Sequence, residues 1–347
     1  MTIHRPSTNA AISKEIAVRL MAVVVTILAL LAAPAHAAHA AEVGFEELKI
    51  ANGAQPPLTA GVWYPSDATA TPHALGNATQ TVAPDAPVAG RRLPLVVISH
   101  GGGGWYGSHY DTALALAHAG FVVAAVSHVG DTFDDQSRVL EPWRRPAQLH
   151  RVVDYMLADW RWHERLDASR VGAFGFSNGG FTVLVAAGGN PRLSEIAPYC
   201  EAHPEHDLCS ALKQAGVDLH SLPVAPADAW VHDPRIKAIV VAAPAFGFTF
   251  GRAGLSNVRV PIQLWRAADD RHQPDPFYEE AVRAALPQPP EYHVVAHAGH
   301  YDFLPPCDTQ LSRMRPEICT SLAGFDRSAF HEQFNADVVR FFHATLQ

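Results

Sequence analysis

Two unbroken apolar runs, Leu93–Ser99 and Phe121–Ser127, and three mostly apolar ones, Val171–Phe176, Ile236–Ala242 (interrupted by Lys237) and Ile262–Ala267 (interrupted by Gln263 and Arg266), constrain this chain more than anything else in it. They do not alternate apolar with polar. That pattern marks strands buried on both faces of a parallel sheet. Parallel neighbours need long crossovers, and the spacing supplies helices for them. These are expected at about 108–119, at Pro146–Trp162 (apolar at Leu149, Val152, Val153, Met156 and Leu157), at Gly179–Ala187 and at Pro276–Leu286. A strand at Tyr292–Val295 and a last helix at Ala329–Thr345 follow. The fold class is therefore α/β, one doubly wound and mostly parallel sheet covered by helices. Val43–Ile50 and Leu58–Tyr64 add two strands in front, and the Ala-, Thr- and Pro-rich residues 65–92 read as a loop. Residues 190–233 interrupt the alternation and read as an inserted cap or lid.

The first 40 residues stand apart. Arg5, Lys14 and Arg19 precede an apolar run from Leu20 to Ala33, and Pro34 and two Ala-His-Ala triplets follow. A basic stretch, a short apolar stretch and an A-x-A site describe a secretory signal peptide, cleaved after Ala37 or Ala40. The run is shorter than the roughly 20 residues that span a bilayer. No stable membrane anchoring is expected after cleavage. The exported domain would then be residues 41–347, in the periplasm or outside the cell. The full chain carries a net charge of −8; without residues 1–40, which hold three basic residues and Glu15, it carries −10. Such a balance excludes a nucleic-acid binder working through a broad basic patch.

Four cysteines lie in the exported part, in two close pairs. In an oxidising compartment Cys200–Cys209 and Cys307–Cys319 is the simplest of the three connectivities. No C-x-x-C spacing suggests a zinc site for these cysteines, and His203-Pro204-Glu205-His206 reads as a solvated turn.

The chemistry sits at strand ends. Gly175-Phe176-Ser177-Asn178-Gly179 matches G-x-S-x-G between an expected strand and an expected helix, which puts Ser177 on a sharp turn as a nucleophile. A serine hydroxyl needs a base, usually His oriented by a carboxylate. In chain order the acid comes next and the His last. Asp269 and Asp270 follow the strand Ile262–Ala267; Asp270 is preferred because Pro274 lies four residues on. His300 follows the last strand and is preferred over His293 and His297, and Asp302 is a third choice of acid. The oxyanion hole needs two backbone N–H groups. Asn178 supplies one, and Gly102, with Gly103 as alternative, supplies the other from Ser99-His100-Gly101-Gly102-Gly103-Gly104. Trp105, Tyr106, Phe176 and Phe246, with Phe248 and Phe250, could line an apolar pocket. Gly102-x-Gly104-x-x-Gly107 also fits a dinucleotide fingerprint, but Ser127-His128 stands where an acidic ribose ligand belongs. No cofactor or metal is called for.

These residues together resemble the α/β-hydrolase superfamily, and more closely its secreted dienelactone-hydrolase-like and platelet-activating-factor-acetylhydrolase-like group. The resemblance runs over most of residues 43–347. It rests on Ser99-His100-Gly101-Gly102, Gly175-Phe176-Ser177-Asn178-Gly179-Gly180 and Ala298-Gly299-His300-Tyr301, with Asp233-Pro234-Arg235-Ile236-Lys237-Ala238 and Gly324-Phe325-Asp326-Arg327 as further landmarks. It implies hydrolysis of a small-molecule ester or lactone through an acyl-enzyme, without metal or cofactor. One departure is chemical: dienelactone hydrolases use a Cys nucleophile, and this chain has Ser177. The same residues could also serve a peptidase or an acyltransferase.

Overall fold

The computed structural model describes residues 42–347 and the first two residues. The expected signal peptide lies outside the described residues. In chain order the strands are β1 (Glu42–Asn52), β2 (Gln55–Ser66), β3 (Thr71–Leu75), β4 (Ala78–Pro84), β5 (Leu93–Ser99), β6 (Val122–Ser127), β7 (Leu166–Phe176), β8 (Ile236–Ala242), β9 (Ile262–Ala267) and β10 (Glu291–Val295). The helices are α1 (Tyr110–His118), α2 (Arg144–Ala158), α3 (Asn178–Ala186), α4 (Ile196–Ala202), α5 (Asp207–Gln214), α6 (Arg252–Leu255), α7 (Glu279–Ala285), α8 (Thr309–Met314), α9 (Pro316–Cys319) and α10 (Arg327–Thr345).

All strands join one ten-stranded sheet in the order β10-β9-β8-β7-β5-β6-β2-β1-β4-β3. From β6 to β10 the neighbours are parallel. β2 meets β6 and β1 antiparallel. The unbroken apolar runs have their reason here. Within β5, Leu95 and Val97 point into the core that contains α2, α3 and α7, whereas Val96 and Ile98 point into the core that contains α1 and α10. Successive side chains alternate faces, and helices cover both.

One expectation fails. Residues 65–92 are not a plain loop, since β3 and β4 form a hairpin there, Thr71 opposite Val82 and Leu75 opposite Ala78. Its Ala, Thr and Pro hide a half-buried strand. Leu75, Gln80 and Val82 turn inward, and Gln80 accepts a 2.7 Å hydrogen bond from the Trp63 indole.

Residues 190–233 contain α4 and α5 and two short 3₁₀ turns. Ile196, Tyr199, Cys200, Cys209 and Leu212 pack with Tyr278 in a small apolar cluster separate from the two main cores. A Cys200–Cys209 disulfide ties α4 to α5. A second, Cys307–Cys319, ties the chain after His300 to α9. Such closures stabilise where a core is too small to do so. No helix among the described residues is long and apolar enough to cross a membrane.

Candidate active site

Ser177 occupies the turn from β7 into α3 with φ +54° and ψ −118°, a backbone conformation that costs a non-glycine residue free energy. The turn is held from both sides. The Ser177 N–H donates to Ala242 O (2.9 Å), and Ala245 N–H donates to Ser177 O (3.0 Å). The flanking glycines are steric necessities. A Cβ at Gly175 would lie 2.1 Å from Gly179 O, and one at Gly179 would lie 1.8 Å from Ser99 O. The G-x-S-x-G spacing thus lets strand, helix and the β5 loop close on one point.

Three side chains from three strand ends meet there. His300 opens a 3₁₀ turn after β10, and its Nε2 lies 3.1 Å from Ser177 Oγ. Its Nδ1 lies 2.7 Å from Asp270 Oδ2, in the loop after β9. The second Asp270 oxygen accepts from Gln273 N–H at 2.8 Å. Burial pushes the Asp270 carboxyl up, but the His300 imidazole, its hydrogen bond and the Gln273 N–H outweigh that and hold it below the usual carboxylate value. The Ser177 hydroxyl also accepts a 3.3 Å bond from Gln273 Nε2. With that lone pair occupied, its proton is directed at His300.

The other candidates lie elsewhere. Asp269 and His297 form an exposed pair 4.0 Å apart. His293 stacks on Trp265 at 4.0 Å and bonds Glu291. Asp302 is buried against Arg327 and Ser321.

Between Gly102 and Gly103 the hydrogen bonds discriminate. Gly103 gives its N–H to Asp131 Oδ1 at 2.9 Å. Gly102, beside Asn178, lines the cavity above Ser177. A buried network fixes this loop from behind. Arg145 bonds Asp131 (2.5 Å), Thr182 (3.2 Å) and the His100 carbonyl. His100 Nε2 accepts the His128 N–H (3.0 Å), so Nδ1 carries the proton that goes to Gly101 O (2.6 Å). Burial first, then the Arg145 charge, keeps His100 and His128 neutral by pushing both well below the ordinary imidazole value. Sequence reading missed Asp131 and Arg145. The available signals were an acidic residue shortly after β6 and an Arg on the inward side of α2.

The cavity over Ser177 measures about 500 Å³. Phe176, Phe246, Ala245, Tyr278 and Tyr301 form its apolar wall, and Asp207, Ser210, Gln214, His272 and Gln273 its polar one. Among the described residues, no Lys or Arg lines it. Trp105 and Tyr106 are not pocket residues. Their rings pack on each other (4.7 Å); Tyr106 points toward β1 and β2, its hydroxyl bonding Glu47 at 2.6 Å, and the Trp105 ring lies against Gly76 in the β3–β4 turn. Phe248 stacks on Tyr199 (3.8 Å) and Phe250 packs on Phe181. One whole wall went unforeseen: Asp207, Ser210 and Gln214 come from α5, and His272 bridges to it with Nδ1 2.7 Å from Asp207 Oδ2.

No protein-family model matches the chain, and no curated protein matches it in sequence. Solved structures do. A ferulic acid esterase from Streptomyces cinnamoneus superposes with a TM-score of 0.59 at 20% identity, covering 91% of this chain and 92% of its own. A dienelactone hydrolase from Anabaena variabilis does so with 0.51 at 14% identity, covering 88% and 100%. The fold is that of the α/β hydrolases. The sheet order places Ser177, at the end of β7, beside the β5 loop where the strand order reverses, the position at which open α/β sheets bind ligands.

Proposed function

We propose that the protein is an exported serine hydrolase that cleaves carboxylic esters through an acyl-enzyme. One observation carries the reading: Asp270, His300 and Ser177 form a continuous hydrogen-bonded line that ends on a strained serine at the floor of a cavity. In the proposed reaction Ser177 Oγ attacks the ester carbonyl while its proton passes to His300 Nε2. Asp270 keeps the Nδ1 proton in place and stabilises the imidazolium. The N–H groups of Gly102 and Asn178 face the oxyanion; removing one such donor typically costs about 3 kcal/mol of barrier stabilisation. Collapse breaks the carbon–oxygen bond, and His300 returns the proton to the leaving alkoxide. Water, activated by His300, then releases the acid and restores Ser177.

The two structural neighbours bear the names of a ferulic acid esterase and a dienelactone hydrolase, which supports hydrolysis of an ester or lactone. The cavity favours an uncharged ester: it offers no cation to an anionic acyl group and presents the Asp207 carboxylate. In this reading residues 190–233 act as the cap, since α5 supplies a cavity wall. Two disulfides and the leader-like first 40 residues support export. A fluorophosphonate probe tests the proposal. It should modify Ser177, and Ser177→Ala should lose both the label and the burst of p-nitrophenol from a p-nitrophenyl ester. A burst of wild-type size in that variant would overturn it.

A further inference from the structure

We propose that the turn joining α4 to α5 is a binding site for a divalent cation of the zinc class, with His203, Glu205 and His206 as ligands. One potential ligand atom from each of the three lies within 4.8 Å of the others. The backbone brings them together: His206 N–H donates to His203 O (3.1 Å), a tight turn that presents both rings on one side. The rings lie parallel, 8° apart with centroids separated by 4.8 Å, and both rest against Phe277. The Cys200–Cys209 disulfide closes the loop that contains all three residues, so little order remains to be imposed on binding.

One of the two His206 tautomers suits a metal ligand. His206 Nδ1 lies 2.8 Å from Tyr199 Oη. With the Nδ1 proton donated to that oxygen, Nε2 presents a lone pair, and Glu205 Oε1 is 3.6 Å from it. Two ligands on one tetrahedral zinc sit about 3.4 Å apart, given metal–ligand bonds near 2.0–2.1 Å. The Glu205–His206 pair is almost at coordination distance, whereas the stacked His203 ring must turn out of its parallel arrangement to aim a nitrogen at the same ion. The Tyr199 hydroxyl then orients its histidine as outer partners do in metal sites. Two imidazoles and one carboxylate suit zinc and its neighbours, whereas magnesium and calcium prefer oxygen-only sets. The site is outside the cavity but next to it in the chain. Asp207 follows His206 and reaches His272 on the cavity wall. A bound cation would fix the start of α5 and so act on substrate binding rather than on the bond-breaking step.

Equilibrium dialysis of the disulfide-bonded protein against ZnCl2, with MgCl2 in parallel, reads the site directly. The expected result is one Zn2+ per chain held at about 10 µM free metal, with no comparable Mg2+ uptake. His203→Ala and His206→Ala should abolish retention. Glu205 is exposed, so Glu205→Gln should leave the fold intact while weakening zinc binding by about tenfold or more. With a p-nitrophenyl ester, added zinc should change KM in the wild type and not in His203→Ala. Zinc uptake that is absent, matched by magnesium, or unchanged in the His and Glu205→Gln variants would overturn the proposal.

Discussion

Two His–Asp pairs in this molecule have nearly the same internal geometry and different surroundings. His300 Nδ1 lies 2.7 Å from Asp270, and His331 Nδ1 lies 2.6 Å from Asp111. Both rings are buried. The difference is at the other nitrogen. His300 Nε2 faces the Ser177 hydroxyl, which can give up a proton. His331 Nε2 faces the Asp302 carbonyl (2.9 Å), which cannot. The first pair opens on a cavity of about 500 Å³. The second joins α10 to α1, where Thr112 and Asn335 also bond at 2.7 Å. A His–Asp pair is therefore no signature of acid–base chemistry by itself; the third partner and the access decide.

The sharpest way to break this comparison is to remove each histidine. On the proposed reading, His300→Ala lowers kcat/KM for a p-nitrophenyl ester by about 10⁵-fold or more, since nucleophile and base act as one unit. Its stability should fall as well, because Asp270 is left buried without its partner. Asp270→Asn comes next, with a loss of about 10⁴-fold from the wrong His300 tautomer. Asp269→Asn, the adjacent exposed carboxylate, should change the same constant by less than about twofold. Equal losses in the two Asp variants would remove Asp270 from its proposed role.

His331→Ala should show the stability loss without the large activity loss. Stripping one partner from a buried pair costs about 3 kcal/mol, to be read as a lower denaturation midpoint in urea with unchanged m-value. Activity should fall only modestly. Some loss is expected because Asp302, whose carbonyl His331 holds, belongs to the turn that begins with His300. A 10⁴-fold loss in a folded His331→Ala protein would erase the distinction between the two pairs.

How far the sequence spoke follows from the same contrast. The sheet was legible because burial on both faces leaves mostly apolar runs. The Ser177 turn was legible because close approach of three backbones demands glycines at fixed offsets. His331–Asp111 and Arg145–Asp131 were not, because their partners are separated by 220 and 14 residues with no spacing rule to connect them. The hairpin at 71–84 was hidden by residues that favour turns as much as strands. Trp105 and Tyr106 misled because adjacency in sequence to the Gly102 loop was read as adjacency in space. The wall contributed by α5 could not be seen because insertions carry no fixed register to the sheet.

The last effect concerns a carboxyl behind the first pair. Glu279 begins α7, is 1% exposed, and neither of its oxygens has a hydrogen-bond partner among the described residues. Burial, and then the neighbouring Asp270 charge, push its carboxyl well above the usual value. Two close carboxylates do not both ionise readily. Asp270 is held low by His300, so Glu279 keeps its proton in the folded protein. The unfolded chain ionises near the ordinary glutamate value of about 4.3. Below that pH both states hold the proton and Glu279 costs nothing through ionisation. As pH rises above it, the unfolded state gains charge and the folded state does not, so the wild type loses up to about 1.4 kcal/mol of stability per pH unit from this group. The loss ends only when pH reaches the raised folded value. Glu279→Gln keeps the shape and removes the titration. Its stability relative to wild type should therefore rise in urea denaturation as pH climbs above the ordinary glutamate value of about 4.3, until the raised folded value is reached, with ester hydrolysis little changed. A difference that is flat in pH would mean that Glu279 is ionised in the folded protein, and that the charge beside Asp270 is carried by both carboxylates.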